Sequence, residues 1–71
     1  MREDARFPGA LVHESSYVDE GVVALGAGSR VWHFSHVLAG TEIGADCSIG
    51  QNCMIGPNVR IGRGAKIQNN V

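Results

Sequence analysis

The feature that most constrains this chain is a period of six. From Leu25 onward an aliphatic side chain returns at every sixth position, as Leu25, Val31, Val37, Ile43, Ile49, Ile55, Ile61 and Ile67. Four residues after each comes a small or β-branched residue: Ser29, Ser35, Thr41, Cys47, Cys53, Val59, Ala65 and Val71. An amphipathic helix repeats every 3.6 residues and a half-buried strand every two, so neither produces this spacing. A polygonal coil does. If each hexad supplies one short strand and one corner, three hexads close a triangular coil, and stacked coils pair as parallel strands about 4.7–4.9 Å apart. The pattern therefore predicts an all-β chain, a parallel β-helix with three hexads per coil, in which each coil buries its aliphatic column only against its neighbours. Gly26, Gly44, Gly50, Gly56 and Gly62 follow the aliphatic residue, interrupted by Trp32, Leu38 and Gln68. A sharp turn with φ > 0 is expected there, since glycine tolerates it.

The repeat fixes the organisation. Val18 to Leu25 is seven residues instead of six, which predicts a one-residue bulge at Val23-Ala24. Residues 1–11 form a lead-in and residues 12–71 the β-helix domain. At 71 residues the chain holds one small domain with a marginal core. Little more than three coils leave a raw strand edge at each end, a liability for pairing with other chains. Ten glycines would suit a disordered tail, but 44% hydrophobic residues exclude one. A net charge of −1 with mixed signs excludes nucleic-acid and membrane-surface binding, which need a clustered basic patch. Nor does any apolar stretch approach the roughly 18 residues of a membrane span. The charged Met1 to Arg6 segment lacks the profile of a signal peptide, so a cytoplasmic protein is expected.

Stacking the sequence in steps of 18 exposes the chemistry. Trp32, Gly50 and Gln68 share a column, as do His33, Gln51 and Asn69, and beside them Phe34, Asn52 and Asn70. Allowing for the slip, Glu14 falls one coil beneath His33. Asn and Gln in such columns can simply ladder their amides and satisfy corner backbone groups. His33 and His36 lie outside the aliphatic column, flank Phe34 and share columns with Gln51, Asn69 and Met54. An imidazole there can accept a proton from an amine or hold a hydroxyl, two tasks suited to histidine near neutral pH. Glu42 and Arg60, 18 apart, should pair across adjacent coils. Cys47 and Cys53 fall on different faces of one coil, a poor geometry for a disulfide, and read as reduced packing residues. Trp32 is either a subunit-interface anchor or packed on its own corner.

The hexads resemble those of the hexapeptide-repeat acyltransferases. More narrowly, Tyr17-Val18-Asp19-Glu20-Gly21, the run Val31-Trp32-His33-Phe34-Ser35-His36-Val37, Ser48-Ile49-Gly50-Gln51-Asn52 and Lys66-Ile67-Gln68-Asn69-Asn70-Val71 resemble bacterial UDP-2-acetamido-3-amino-2,3-dideoxy-glucuronate N-acetyltransferases. The resemblance runs from about Val12 to Val71. It implies a left-handed coil, against the right-handed crossover rule. It also implies acetyl transfer from acetyl-CoA to the amine of a UDP-linked amino sugar in surface-polysaccharide synthesis, and a homotrimer with the exposed Trp32 and Phe34 as contact candidates. His33, His36, Gln51, Asn52, Gln68, Asn69 and Asn70 are then the substrate-binding residues. No catalytic residue is assigned. Members of that family continue through further coils to loops that hold much of the acetyl-CoA site, so the chain reads as an N-terminal part, with activity expected of the full-length form.

Two other readings compete. The coil also resembles the γ-class carbonic anhydrases, which bind zinc through three histidines, and this chain has His13, His33 and His36. Yet His33 and His36 are only three residues apart around one corner and the wider spacing of that family is absent, so no metal ligand is assigned. The other alternative is an inactive scaffold fragment of an acyltransferase. Neither a Gly-x-x-x-x-Gly-Lys-Ser/Thr loop nor a Gly-x-Ser-x-Gly elbow occurs in the chain.

Overall fold

A computed structural model describes residues 2–70; Val71, the last member of the small-residue column, lies outside them, as does Met1. Each hexad contributes one two-residue strand. In chain order these are β1 (Arg2–Glu3), β2 (Leu11–Val12), β3 (Tyr17–Val18), β4 (Ala24–Leu25), β5 (Arg30–Val31), β6 (His36–Val37), β7 (Glu42–Ile43), β8 (Ser48–Ile49), β9 (Met54–Ile55), β10 (Arg60–Ile61) and β11 (Lys66–Ile67). They form three sheets, ordered β1-β2-β5-β8-β11, β3-β6-β9 and β4-β7-β10. Every pairing is parallel except β1 with β2. The chain is thus a three-sided parallel β-helix, three hexads to the coil. No helix among the described residues is long and apolar enough to cross a membrane.

Register shows where the period slips. Val12 pairs with Val31 and Val18 with Val37, offsets of 19, whereas Leu25 pairs with Ile43 and Val31 with Ile49, offsets of 18. The extra residue is accommodated at Val23-Ala24, where both backbone N–H groups donate to the Thr41 carbonyl, at 2.9 and 3.4 Å. Two residues opposing one is the arrangement of a β-bulge. It turns Val23 outward and keeps Val22 and Leu25 inside.

The aliphatic column is the core. Val31, Val37, Ile43 and Ile49 are at most 1% exposed, and Val12, Val18, Leu25 and Ile55 are buried around them. From Ser29 to Cys53 the small column is also internal, and it does more than fit a corner. Ser35 Oγ donates to the Gly50 carbonyl (2.6 Å) and accepts from the Cys53 N–H (3.1 Å), and Ser29 Oγ does the same with Gly44 O and Cys47 N. Hydroxyls therefore bracket successive coils where corner backbone groups would otherwise be buried unpaired. Cys47 and Cys53 are free and buried, and their Sγ atoms approach the Gly62 and Gln68 carbonyls at 3.0 Å, so they take the place of serine.

Two expectations are corrected. The left-handed backbone position lies three residues after the aliphatic, not one: Gly28, Phe34, Gly40, Asp46, Asn52, Asn58, Gly64 and Asn70 all have φ between 56° and 80°. Gly, Asn and Asp suit that position because αL costs them least. Of the glycines directly after the aliphatic residue, only Gly56 has positive φ. Gly44 is there because of close approach, since a Cβ would lie 2.8 Å from the Arg63 backbone nitrogen on the next coil. Secondly, the N-terminal end is not a raw edge. β1 covers β2, and the Arg6 guanidinium donates to the Val18 carbonyl (2.8 Å) and the Asp19 carbonyl (3.1 Å) below β3. Phe7 packs against the core from the same end.

Candidate functional site

The polar corner joins the β2-β5-β8-β11 sheet to the β3-β6-β9 sheet. Its layers are residues 13–16, 32–35, 50–53 and 68–70, one on each successive coil. The register brings His33, Gln51 and Asn69 into one column and Phe34, Asn52 and Asn70 into the next. Backbone bonds tie the layers together: Asn52 N–H donates to the His33 carbonyl (3.0 Å) and Asn70 N–H to the Gln51 carbonyl (2.7 Å).

Some of the amides serve structure. Asn69 Oδ1 accepts from the Gln51 N–H at 2.8 Å, and Asn52 and Asn70 occupy the left-handed corner position. The side chains of Gln51, Asn52, Gln68 and Asn70 are exposed and make no hydrogen bond among the described residues. Phe34 stands where the other corners carry Gly, Asn or Asp: its φ is 56° and its side chain is 67% exposed. Holding a bulky residue in αL costs roughly 1–3 kcal/mol. Burial does not offset that cost here.

His33 is half-buried, and its Nδ1 is buried with no hydrogen-bond partner among the described residues. Its ring lies 3.8 Å from that of His13, tilted by 37°. His13 Nδ1 accepts from the Ser15 N–H at 3.0 Å and contacts Ser15 Oγ, which accepts in turn from the Phe34 N–H at 2.9 Å. Glu14 does sit opposite His33 in the backbone register, but the ring against His33 is that of His13. The Glu14 carboxyl is held below the ordinary carboxylate range, chiefly by hydrogen bonding to its own backbone N–H. Trp32 is half-buried, with Nε1 donating to Ser48 Oγ (3.3 Å), which fits the second of its two readings, packing on its own corner.

His36 is not part of this corner. It stands on the outer face of β6 with Nε2 2.6 Å from Asp19 Oδ1, and the Tyr17 ring meets it edge-on at 5.5 Å. Of the three histidines considered as zinc ligands, His13 and His33 lie ring against ring while His36 is turned to Asp19 on another face. Among the described residues no three His, Cys, Asp or Glu side chains gather at a metal-binding spacing. A depression of about 420 Å³ lies between the lead-in and the first coil, but its Arg6 is already engaged with Asp4 and the Val18 and Asp19 carbonyls.

Sequence reasoning missed Ser15 and Asp19, and it weighed His13 only as a zinc ligand, not as the neighbour of His33. Asp19 carried a signal, since it takes the position after the aliphatic residue where the regular hexads place glycine. His13 carried none, because its contact with His33 depends on ring orientation.

The profile of the family described as bacterial transferase hexapeptide (six repeats) matches residues 23–56 and residues 40–71. No curated protein matches the chain.

Proposed function

Since this chain belongs to the hexapeptide-repeat family of bacterial transferases, we propose that its full-length form moves acetyl from acetyl-CoA to the amine of a UDP-linked 3-amino sugar for surface-polysaccharide synthesis. The observation that carries the reading is the polar corner: a histidine with an unpartnered Nδ1, five exposed amide residues and an exposed aromatic ring held at positive φ. Among the described residues no other corner combines these groups. His33, Gln51, Asn52, Gln68, Asn69 and Asn70 bind the sugar nucleotide, and His36 contacts it from the adjoining face. The protein acts as a cytoplasmic homotrimer, with Phe34 at the subunit contact and acetyl-CoA as co-substrate.

The chemistry is direct attack. The neutral amine nitrogen forms a bond to the thioester carbonyl carbon, the C–S bond breaks, and the amine proton passes to the departing CoA thiolate. Positioning and stabilisation of the oxyanion suffice for this, without a covalent acyl-enzyme. Cys47 and Cys53, buried and occupied with corner carbonyls, take no part.

Steady-state kinetics of His33→Asn with acetyl-CoA and the amino-sugar nucleotide test the reading. As an orienting group His33 should show a KM increase larger than its kcat decrease. A kcat lower by about 10²–10⁴-fold with KM little changed would make it the base. Wild-type values would mean that the corner is structural.

A further inference from the structure

Asp19 is clamped by five hydrogen bonds. Its backbone N–H donates to the Val37 carbonyl (2.9 Å) and its carbonyl accepts from Arg6 (3.1 Å) and from the Val22 N–H (3.1 Å). Of the side-chain oxygens, Oδ2 accepts the Ala39 N–H at 3.2 Å and Oδ1 lies 2.6 Å from His36 Nε2. The carboxylate thus has one oxygen committed to the backbone and one committed to the imidazole. An ionised carboxylate accepts hydrogen bonds and donates none, so Nε2 must carry the proton. In the neutral ring Nδ1 is then the bare nitrogen. It has no hydrogen-bond partner among the described residues and is not among the buried unpartnered atoms, so it reaches solvent.

The surroundings of that nitrogen are those of a binding surface. Tyr17 and Met54, the parallel-strand partners of His36 on either side, are 59% and 65% exposed. They form two apolar walls with the imidazole between them, beside Phe34 at the adjoining corner. A saturated ring bearing hydroxyl and amine donors matches this arrangement, with apolar faces against the walls and a donor on Nδ1.

We infer that Asp19 is a positioning residue that locks His36 in the Nε2–H tautomer, so that Nδ1 accepts a hydrogen bond from a hydroxyl or amine of the sugar. This assignment rests on the acyltransferase reading for its ligand, but the tautomer lock itself does not.

The test is Asp19→Asn, nearly isosteric and read first by nitrogen-15 NMR of the imidazole. The Ala39 N–H requires an acceptor, so the amide oxygen stays on it and the amide NH₂ turns to His36 Nε2. Nε2 must then accept, and the tautomer should reverse from Nε2–H in the wild type to Nδ1–H in the variant. With the sugar nucleotide, KM should rise about tenfold, the factor expected for one hydrogen bond, while KM for acetyl-CoA stays unchanged. An Nδ1–H tautomer in the wild-type protein, or an unchanged tautomer in Asp19→Asn, overturns the inference. So does reversal of the tautomer with unchanged sugar-nucleotide KM. Absence of any acetyl transfer by the full-length wild-type protein would instead sink the acyltransferase reading, and with it the sugar as ligand.

Discussion

At the N-terminal end of the coil the innermost aliphatic residues, Val12, Val18 and Leu25, are at most 7% exposed, whereas at the other end Ile61 and Ile67 are only partly buried. The hexads are the same in kind at both ends. What differs is a lead-in of non-periodic residues: β1 pairs with β2, Arg6 satisfies two carbonyls below β3, and Phe7 closes the bottom of the core. β9, β10 and β11 each pair on one side only, as β3 and β4 do, but β3 has its carbonyls met by Arg6 whereas no such donor meets β9, β10 or β11 among the described residues. A hexad buries its face against the next coil and offers no means of its own to finish the stack. Closure therefore has to come from residues outside the repeat, as the lead-in shows.

The largest expected effect separates covered from uncovered layers in one column. Ile43→Ala should cost about 2–5 kcal/mol, because Ile43 is 1% exposed and its removal leaves a cavity. Ile61→Ala, directly above it in the last described coil, should cost roughly 1 kcal/mol because less area is withdrawn from water. Urea unfolding measures both, and equal losses would show that the two ends are covered alike.

The bracket between covered coils comes next. Ser35→Ala strips the acceptor from the Cys53 N–H and the donor from the Gly50 carbonyl, and should destabilise by about 1–3 kcal/mol. A melting curve indistinguishable from wild type would mean that the small column only fills space.

The smallest effects belong to two arginines at opposite ends. Arg6→Ala removes the donor to the Val18 and Asp19 carbonyls and should cost about 1 kcal/mol, discounted because the side chain is 40% exposed. Arg60→Ala breaks the 3.3 Å pair with Glu42 at 82% exposure and should cost about 0–1 kcal/mol. Hydrogen exchange adds a local readout: loss of Arg6 should speed exchange around β3, and loss of Arg60 should leave β7 unchanged. The opposite ranking would remove the capping role of the lead-in.

Much of the coil was legible because its causes are local and repeated. The eight aliphatic residues from Leu25 to Ile67 appear at the expected places, the Glu42–Arg60 pair falls 18 apart as counted, and the seven-residue gap after Val18 becomes a bulge at the residues where the count failed. The corner glycines were read to the wrong cause. Gly44 and Gly26 are small because the next coil presses on them, a contact between residues far apart in sequence that composition does not display.

The candidate site divides in the same way. Counting in eighteens brought Gln51 and Asn69 over His33 and put Asn52 and Asn70 over Phe34. It could not place the rings, because contacts of His13 with His33 and of Asp19 with His36 run diagonally, twenty and seventeen residues apart, on either side of the 19-residue register. The sequence by itself determined the period, the number of sides, the interior column and the layer each polar residue occupies, since all of these follow from backbone repeat and burial. Only the tertiary structure decided which side chains meet, which imidazole nitrogen is left open and how one end of the stack is closed. Those depend on rotamers chosen among several neighbours on adjacent coils and on a lead-in that obeys no repeat.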